Sequence, residues 1–241
     1  MAQERVDKWQ TWLPWLLLPF RLVLFAASQS LLALTLAGGW VSSSAWWPLA
    51  ATMTNVATIA VLVWSVRTEG RSYWSLFHFR RIRAVQDLGW LVLTVLIVLS
   101  LALLPNIAIA TLLFGNAETA LDMFLRPLPV WAVTMALAFP VTIAFAELPL
   151  YFGYVMPKIE AQTGRKWLAV LAPALFLSAQ HVTLPLVIDW RFMVWRSFMF
   201  LPFALIVGMI VHMRPSLLAY LVVLHGLLDL TLVVMLVQLS F

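Results

Sequence analysis

The sequence predicts an all-α polytopic transmembrane bundle of about seven spans, with six to eight as the range that Pro-broken segments allow. Three observations carry this. Of 241 residues 63% are hydrophobic and 10% charged, against a charged share of about 25% in soluble domains. The mean hydropathy is +0.97. The few charges fall in short segments between apolar runs of the roughly 20 residues that a bilayer core demands of a helix.

The elements follow in order. "MAQERVDKWQTWLPWLLL" reads as an interfacial segment entering the first span, with no cleaved signal peptide. Span one covers 16–37; "GGWVSSSAWWP" is a turn with a Trp belt at a membrane surface; span two covers 48–66. In "RTEGRSYWSLFHFRRIRAVQD", Arg67, Arg71, Arg80, Arg81 and Arg83 outnumber Glu69 and Asp87. That makes the loop cytoplasmic by the positive-inside rule, and the N-terminus with it. Its "YWSLFHFRRIR" part alternates aromatics with Arg as a surface-lying amphipathic helix does. Span three covers 88–113, and an acidic loop with Glu118 and Asp122 follows outside. Span four starts at Pro127 or Pro129 and runs past Glu147 to "PKIEAQTGRKW", whose Lys158, Arg165 and Lys166 bring the chain back inside. Span five covers 167–187, "DWR" is an outer turn, span six ends near "HMRPS", and span seven runs from 216 to the end. No repeat or linker divides the chain, so residues 1–241 form one domain.

Composition also excludes function classes. The net charge of +5 is spent on topology signals, so no nucleic-acid partner is expected. The absence of cysteine removes disulfides, thiol nucleophiles and Cys-based metal sites. Membrane lipid is the expected surrounding partner.

An ionisable group at the bilayer centre costs at least ~2.5 kcal/mol, so each one needs a reason. Glu147, His181, His225 and Asp229 fall inside spans four, five and seven. His225 and Asp229 stand i,i+4 on one helix face, close enough to touch; such a pair orients an imidazole or binds a metal. Near Glu147, Pro149 removes a backbone donor and Gly153 a side chain, which kinks the span and opens room beside the carboxylate. Against this stand bland roles: a protonated Glu bonded to Tyr151 or to a carbonyl, and histidines serving as interhelical hydrogen-bond partners. Arg21, in the first turn of span one, reads as a side chain that snorkels to the interface. His212 and Arg214 read as helix-end cations, and His78 as part of the basic loop.

The order of "ELPLYFGYVMP", "LFLSAQH" and "HGLLD" resembles the CPBP intramembrane proteases, the group containing type II CAAX prenyl endopeptidases and bacteriocin-processing or immunity relatives. The resemblance spans about residues 128–235. It places the leading Glu of the first motif at Glu147 and its glycine at Gly153, the histidine of the second at His181, and the third motif at His225 and Asp229. The second Glu of the first motif is Leu148 here, its Arg is Phe152, and the Phe of the second motif is Leu177, so Glu147 is expected to stand without the family's supporting ion pair.

The resemblance implies an endopeptidase acting on a membrane-associated or lipidated peptide, or a membrane-protein tail, in a bacterial or archaeal plasma membrane. Glu147 with His181 would activate a water, and His225 with residue 229 would face the oxyanion. An ionised Asp229 has no proton to donate, so it acts either protonated or by orienting and charging His225. No cofactor is expected. The alternative is a zinc on His181, His225 and a carboxylate, Glu147 or Asp229, although the chain lacks a His-Glu-x-x-His helix. Two other classes use the same residues: an inactive immunity or scaffold protein, and a proton-coupled transporter, which would show paired broken helices in two similar halves.

Overall fold

A computed structural model describes residues 2–79 and 81–241; Arg80, counted above in the basic loop, lies outside the described residues. The architecture is an all-α membrane bundle without strands among the described residues. Its helices are α1 (Ala2–Leu17), α2 (Phe20–Thr35), α3 (Trp47–Thr68), α4 (Ala84–Val98), α5 (Leu104–Phe114), α6 (Val130–Ala136), α7 (Ala138–Leu148), α8 (Met156–Thr163), α9 (Lys166–Gln180), α10 (Trp190–Met213) and α11 (Leu218–Ser240).

Five helical segments among the described residues are long and apolar enough to cross a bilayer, and a sixth is obtained if α1 and α2, bent by 58° at their junction, form one span. The expected count of about seven differs for two reasons. α9 has 15 residues, which at 1.5 Å each reach only about 22 Å, short of a hydrocarbon core of about 30 Å. It stops at Gln180 because the next turn closes on itself, with the Thr183 hydroxyl donating to the Gln180 carbonyl at 2.8 Å. The first span starts earlier than residue 16, with Pro14 inside α1 and Pro19 just before α2.

Proline chemistry also shapes the fourth span. Pro149 has no N–H to give the carbonyl of Phe145, four residues back, and its ring crowds that oxygen. The helix answers with a π-helical segment, Pro149–Val155, and the released Phe145 carbonyl accepts the Tyr73 hydroxyl at 2.5 Å. Gly153 does not open room beside Glu147: a Cβ there would lie 3.0 Å from Leu218 and 3.4 Å from Leu76, so the glycine serves close packing.

Two other local expectations are corrected. The aromatic-Arg segment is two 3₁₀ turns, Tyr73–Phe77 and Arg81–Arg83, broken at His78, whose φ of 47° is left-handed. Trp46 and Trp47 are buried, with Trp47 edge-on to Phe124 and Phe139, because the two glycines that precede them, at φ 69° and 133°, turn the chain back into the bundle.

Contacts between loops define the two ends. At one end Glu69 meets Lys158 at 2.6 Å and Tyr154 at 2.7 Å, His212 meets Glu160 at 3.4 Å, and Arg214 meets Asp87 at 2.5 Å. At the other, Ser44 meets the carbonyl of Met123 at 3.2 Å, and Arg126 that of Val41 at 2.8 Å. There Asp189 caps α10, accepting from the N–H groups of Arg191 and Phe192. Its hydrogen bond from the Arg191 side chain holds the carboxyl below the usual carboxylate range. α4 and α5, joined by a π-helical segment at Leu99–Leu103, lie on the outside, with little of their length buried.

The core is split. One buried apolar cluster contains Leu17, Leu62, Leu148, Leu177 and Leu221; the other contains Phe25, Ala51, Phe139, Leu184 and Val233. Along α2, α3, α9 and α11 the polar residues fall between members of the two: Arg21, Asn55 and Thr58, Gln180 and His181, His225 and Asp229. The bundle is therefore two apolar layers with a polar layer at mid-depth.

Candidate functional site

All four ionisable residues singled out in the sequence come together in that polar layer. Glu147 ends α7 and is fully buried. His181 follows the last residue of α9, and its Nε2 lies 3.7 Å from Glu147 Oε2. His225 reaches across from α11, its Nε2 3.6 Å from Glu147 Oε1 and 3.1 Å from Asp229 Oδ2. The last distance follows from i,i+4 helical geometry alone. The His225–Glu147 approach depends on Gly226: a Cβ there would lie 2.9 Å from the Pro140 carbonyl oxygen and 3.2 Å from Ala144, so only glycine lets α11 press this close to α7.

The sequence reading missed the residue that organises the acid. Arg21 does not snorkel to the interface; it is fully buried, with its guanidinium 3.7 Å from Glu147 Oε2. It donates to Gln180 Oε1 at 2.7 Å, to Asn55 at 2.9 Å and to Thr58 at 3.3 Å, and lies 5.0 Å above the Phe25 ring. Gln180 in turn donates to Glu147 Oε2 at 2.5 Å. Glu147 thus has an ion-pair partner after all, supplied by α2. The physical reason is depth. Once α1 is counted into the first span, which opens at Trp9, Arg21 lies well inside it, level with Asn55 and Thr58 at the middle of α3. Asn55 continues the network to the Thr142 hydroxyl at 3.1 Å. Tyr151 bonds the Leu18 carbonyl and Gln180, each at 3.3 Å, and not Glu147. The signals were present in the sequence: the polar run Thr54, Asn55, Thr58 inside an apolar helix, and an amide directly before His181.

His181 is held from its other side. Phe200 stacks on its ring with centroids 3.5 Å apart and planes within 11°. Buried Arg196 donates to the carbonyls of His181 and Leu184 at 3.1 and 2.5 Å. The peptide groups after α9 are thereby satisfied within the bilayer depth, as lipid requires.

The partners divide Glu147 into two unlike oxygens. Oε2 faces Arg21 and Gln180, whereas Oε1, both ring nitrogens of His181 and Nδ1 of His225 have no hydrogen-bond partner among the described residues. Separations of 3.6–3.7 Å are too long for direct hydrogen bonds and suit groups bridged by one water. Among the described residues no group of three His, Cys, Asp or Glu side chains is arranged to hold a metal ion. A cleft of about 120 Å³ between α4, α10 and α11 is lined by Val98, Leu148, Phe203, His225 and Leu228 among others. The chain matches no family model, no curated protein and no solved structure.

Proposed function

We propose that this protein is an intramembrane peptide hydrolase of the CPBP type, with Glu147 as the base that activates water. The observation that supports the reading is the convergence of Glu147, His181 and His225 from three helical elements on one buried point, within one-water reach. Four scattered structural polar residues would have found separate partners.

The chemistry follows from the asymmetry of the carboxylate. Arg21 and Gln180 hold Oε2 and fix the group, which leaves Oε1 as the proton acceptor. A water on Oε1 gives its proton to the carboxylate as its oxygen bonds to the peptide carbonyl carbon, while His181 flanks the carboxylate from the Oε2 side. The carbonyl oxygen gains the negative charge, and collapse of the adduct expels the amine, which takes the proton from Glu147. His225 stabilises the oxyanion. Asp229 contacts its Nε2, so the orienting role for Asp229 suits this geometry better than the donor role. In the doubly protonated ring, Nδ1 then carries the second N–H.

The expected result is that Glu147→Gln lowers cleavage of a membrane-peptide library by at least about 10²-fold without loss of folded protein, read by mass spectrometry of new termini in vesicles. Full turnover in that variant, or loss of wild-type turnover with a chelator alone, would sink the metal-free mechanism. A second reading, an inactive binding or immunity protein, draws on a specific observation: Glu147 is fully buried and held by a guanidinium and an amide, as a structural ion pair would be. Under that reading partner binding survives Glu147→Gln and no new termini form.

A further inference from the structure

We propose that the seam between α4, α10 and α11 binds one anionic phospholipid, its phosphate held among Arg83, Arg214 and His78 and one acyl chain laid along the helices towards His225. Two separate features of the same seam support this. At the basic end of the bundle a pocket of about 420 Å³ is lined by His78, Arg83, Trp90 and Arg214 and by the α10–α11 connection. Deeper, the apolar cleft of about 120 Å³ is lined by Thr94, Val98, Val207, Leu221 and His225. Trp90, Thr94 and Val98 stand at i, i+4 and i+8 of α4, and Val207 and Ile210 at i and i+3 of α10, with Arg214 directly after the end of that helix. Each helix therefore presents one continuous stripe that is cationic or aromatic at the headgroup level and apolar below.

Charge decides the headgroup. Asp87 lies 2.5 Å from Arg214 Nε, and Arg214 also donates to Gln86 at 3.2 Å. Arg214 is thus fixed in direction and largely neutralised. Arg83 is exposed and has no ion-pair or hydrogen-bond partner among the described residues, which leaves the pocket with an unspent positive charge. Glu160, behind His78 in the adjoining cleft, is already taken by His212. His78 adopts a left-handed backbone at φ 47°, a conformation of the kind that clusters at ligand clamps. Trp90, its ring 5.9 Å from the Arg214 guanidinium, is the side chain expected where a lipid's polar and apolar parts meet. Basic pockets between transmembrane helices are established headgroup sites.

The test uses the full chain, delipidated in detergent, with bound lipid counted by native mass spectrometry. Phosphatidylglycerol and phosphatidylcholine of equal chain length are compared, with inorganic phosphate as competitor. The expected result is saturable binding of one phosphatidylglycerol, little phosphatidylcholine, and no displacement by phosphate at equal concentration. Arg83→Gln weakens binding about fivefold, and Val98→Trp, which fills the chain cleft, weakens it at least as much. Equal retention of the two lipids, displacement by free phosphate, or wild-type affinity in either variant overturns the proposal.

Discussion

Arg21 and Glu147 show how much one pair decides in this protein. Two charges buried at mid-bilayer are each expensive, and removing one leaves the other without compensation, at a cost of about 3–5 kcal/mol. Arg21→Met is therefore expected to lower the unfolding free energy in detergent by about that amount, while Arg21→Met combined with Glu147→Met recovers most of it. A double-variant loss equal to the sum of the two single losses would show that the pair contributes nothing beyond its separate contacts. Gln180 is the hinge of the same network: it accepts from Arg21 and donates to Glu147, so both amide ends are spent. Of this cluster the sequence disclosed the acid, both histidines and Asp229, because an ionisable residue in an apolar run is visible without any structure. Arg21 was equally visible, yet its depth was misjudged, since depth depends on where the helix starts and the two prolines obscured that.

Close approach and capping set the positions of the elements. Gly226 lets α11 touch the backbone of α7, and Gly226→Ala is expected to cost about 1–3 kcal/mol through overpacking. It should also move His225 away from Glu147, a displacement that a distance measurement between spin labels on α7 and α11 would register, and under the proposed hydrolase function it should reduce turnover. Asp189→Ala at the start of α10 is expected to cost about 1 kcal/mol. Because the folded carboxyl titrates below its ordinary value, its contribution is present above the ordinary range near 3.9. It is lost as pH falls through the folded value, and the Ala variant should lack that acid-side loss in a pH series of melting curves. The short α9 was not legible from hydropathy, since residues 181–188 are nearly as apolar as the helix. The Gln180–Thr183 turn and the Arg196 contacts end it, and the latter come from another helix.

For the molecule as a whole the loops separate by charge. The end carrying Arg67, Arg71, Arg165 and Lys166 is the basic one, and the end carrying Glu118, Asp122 and Asp189 is the more acidic. By the positive-inside rule we propose that the basic end faces the cytoplasm. The chain has no cysteine, so single cysteines placed at Arg165 and Glu118 report cleanly. A membrane-impermeant maleimide applied from outside is expected to label the second and spare the first. The reverse pattern inverts the orientation, and labelling of both contradicts the placement of these loops at opposite ends.

The sequence by itself determined the membrane-embedded all-α class, most of the helix limits, Glu147, His225 and Asp229 as ionisable residues within spans, and the contact between His225 and Asp229, whereas His181 lies just past the end of a helix too short to span. All of these are local: hydropathy, proline chemistry and i,i+4 spacing act within one segment. Only the tertiary structure decided that Arg21 and Gln180 grip Glu147, that Phe200 and Arg196 fix His181, that Gly226 brings α11 onto α7, and that α9 stops short. The physical reason is that helices apolar on all sides carry no marked face. In lipid their mutual rotation and depth are set by close packing and interhelical hydrogen bonds, which belong to pairs of helices and are written in neither one alone.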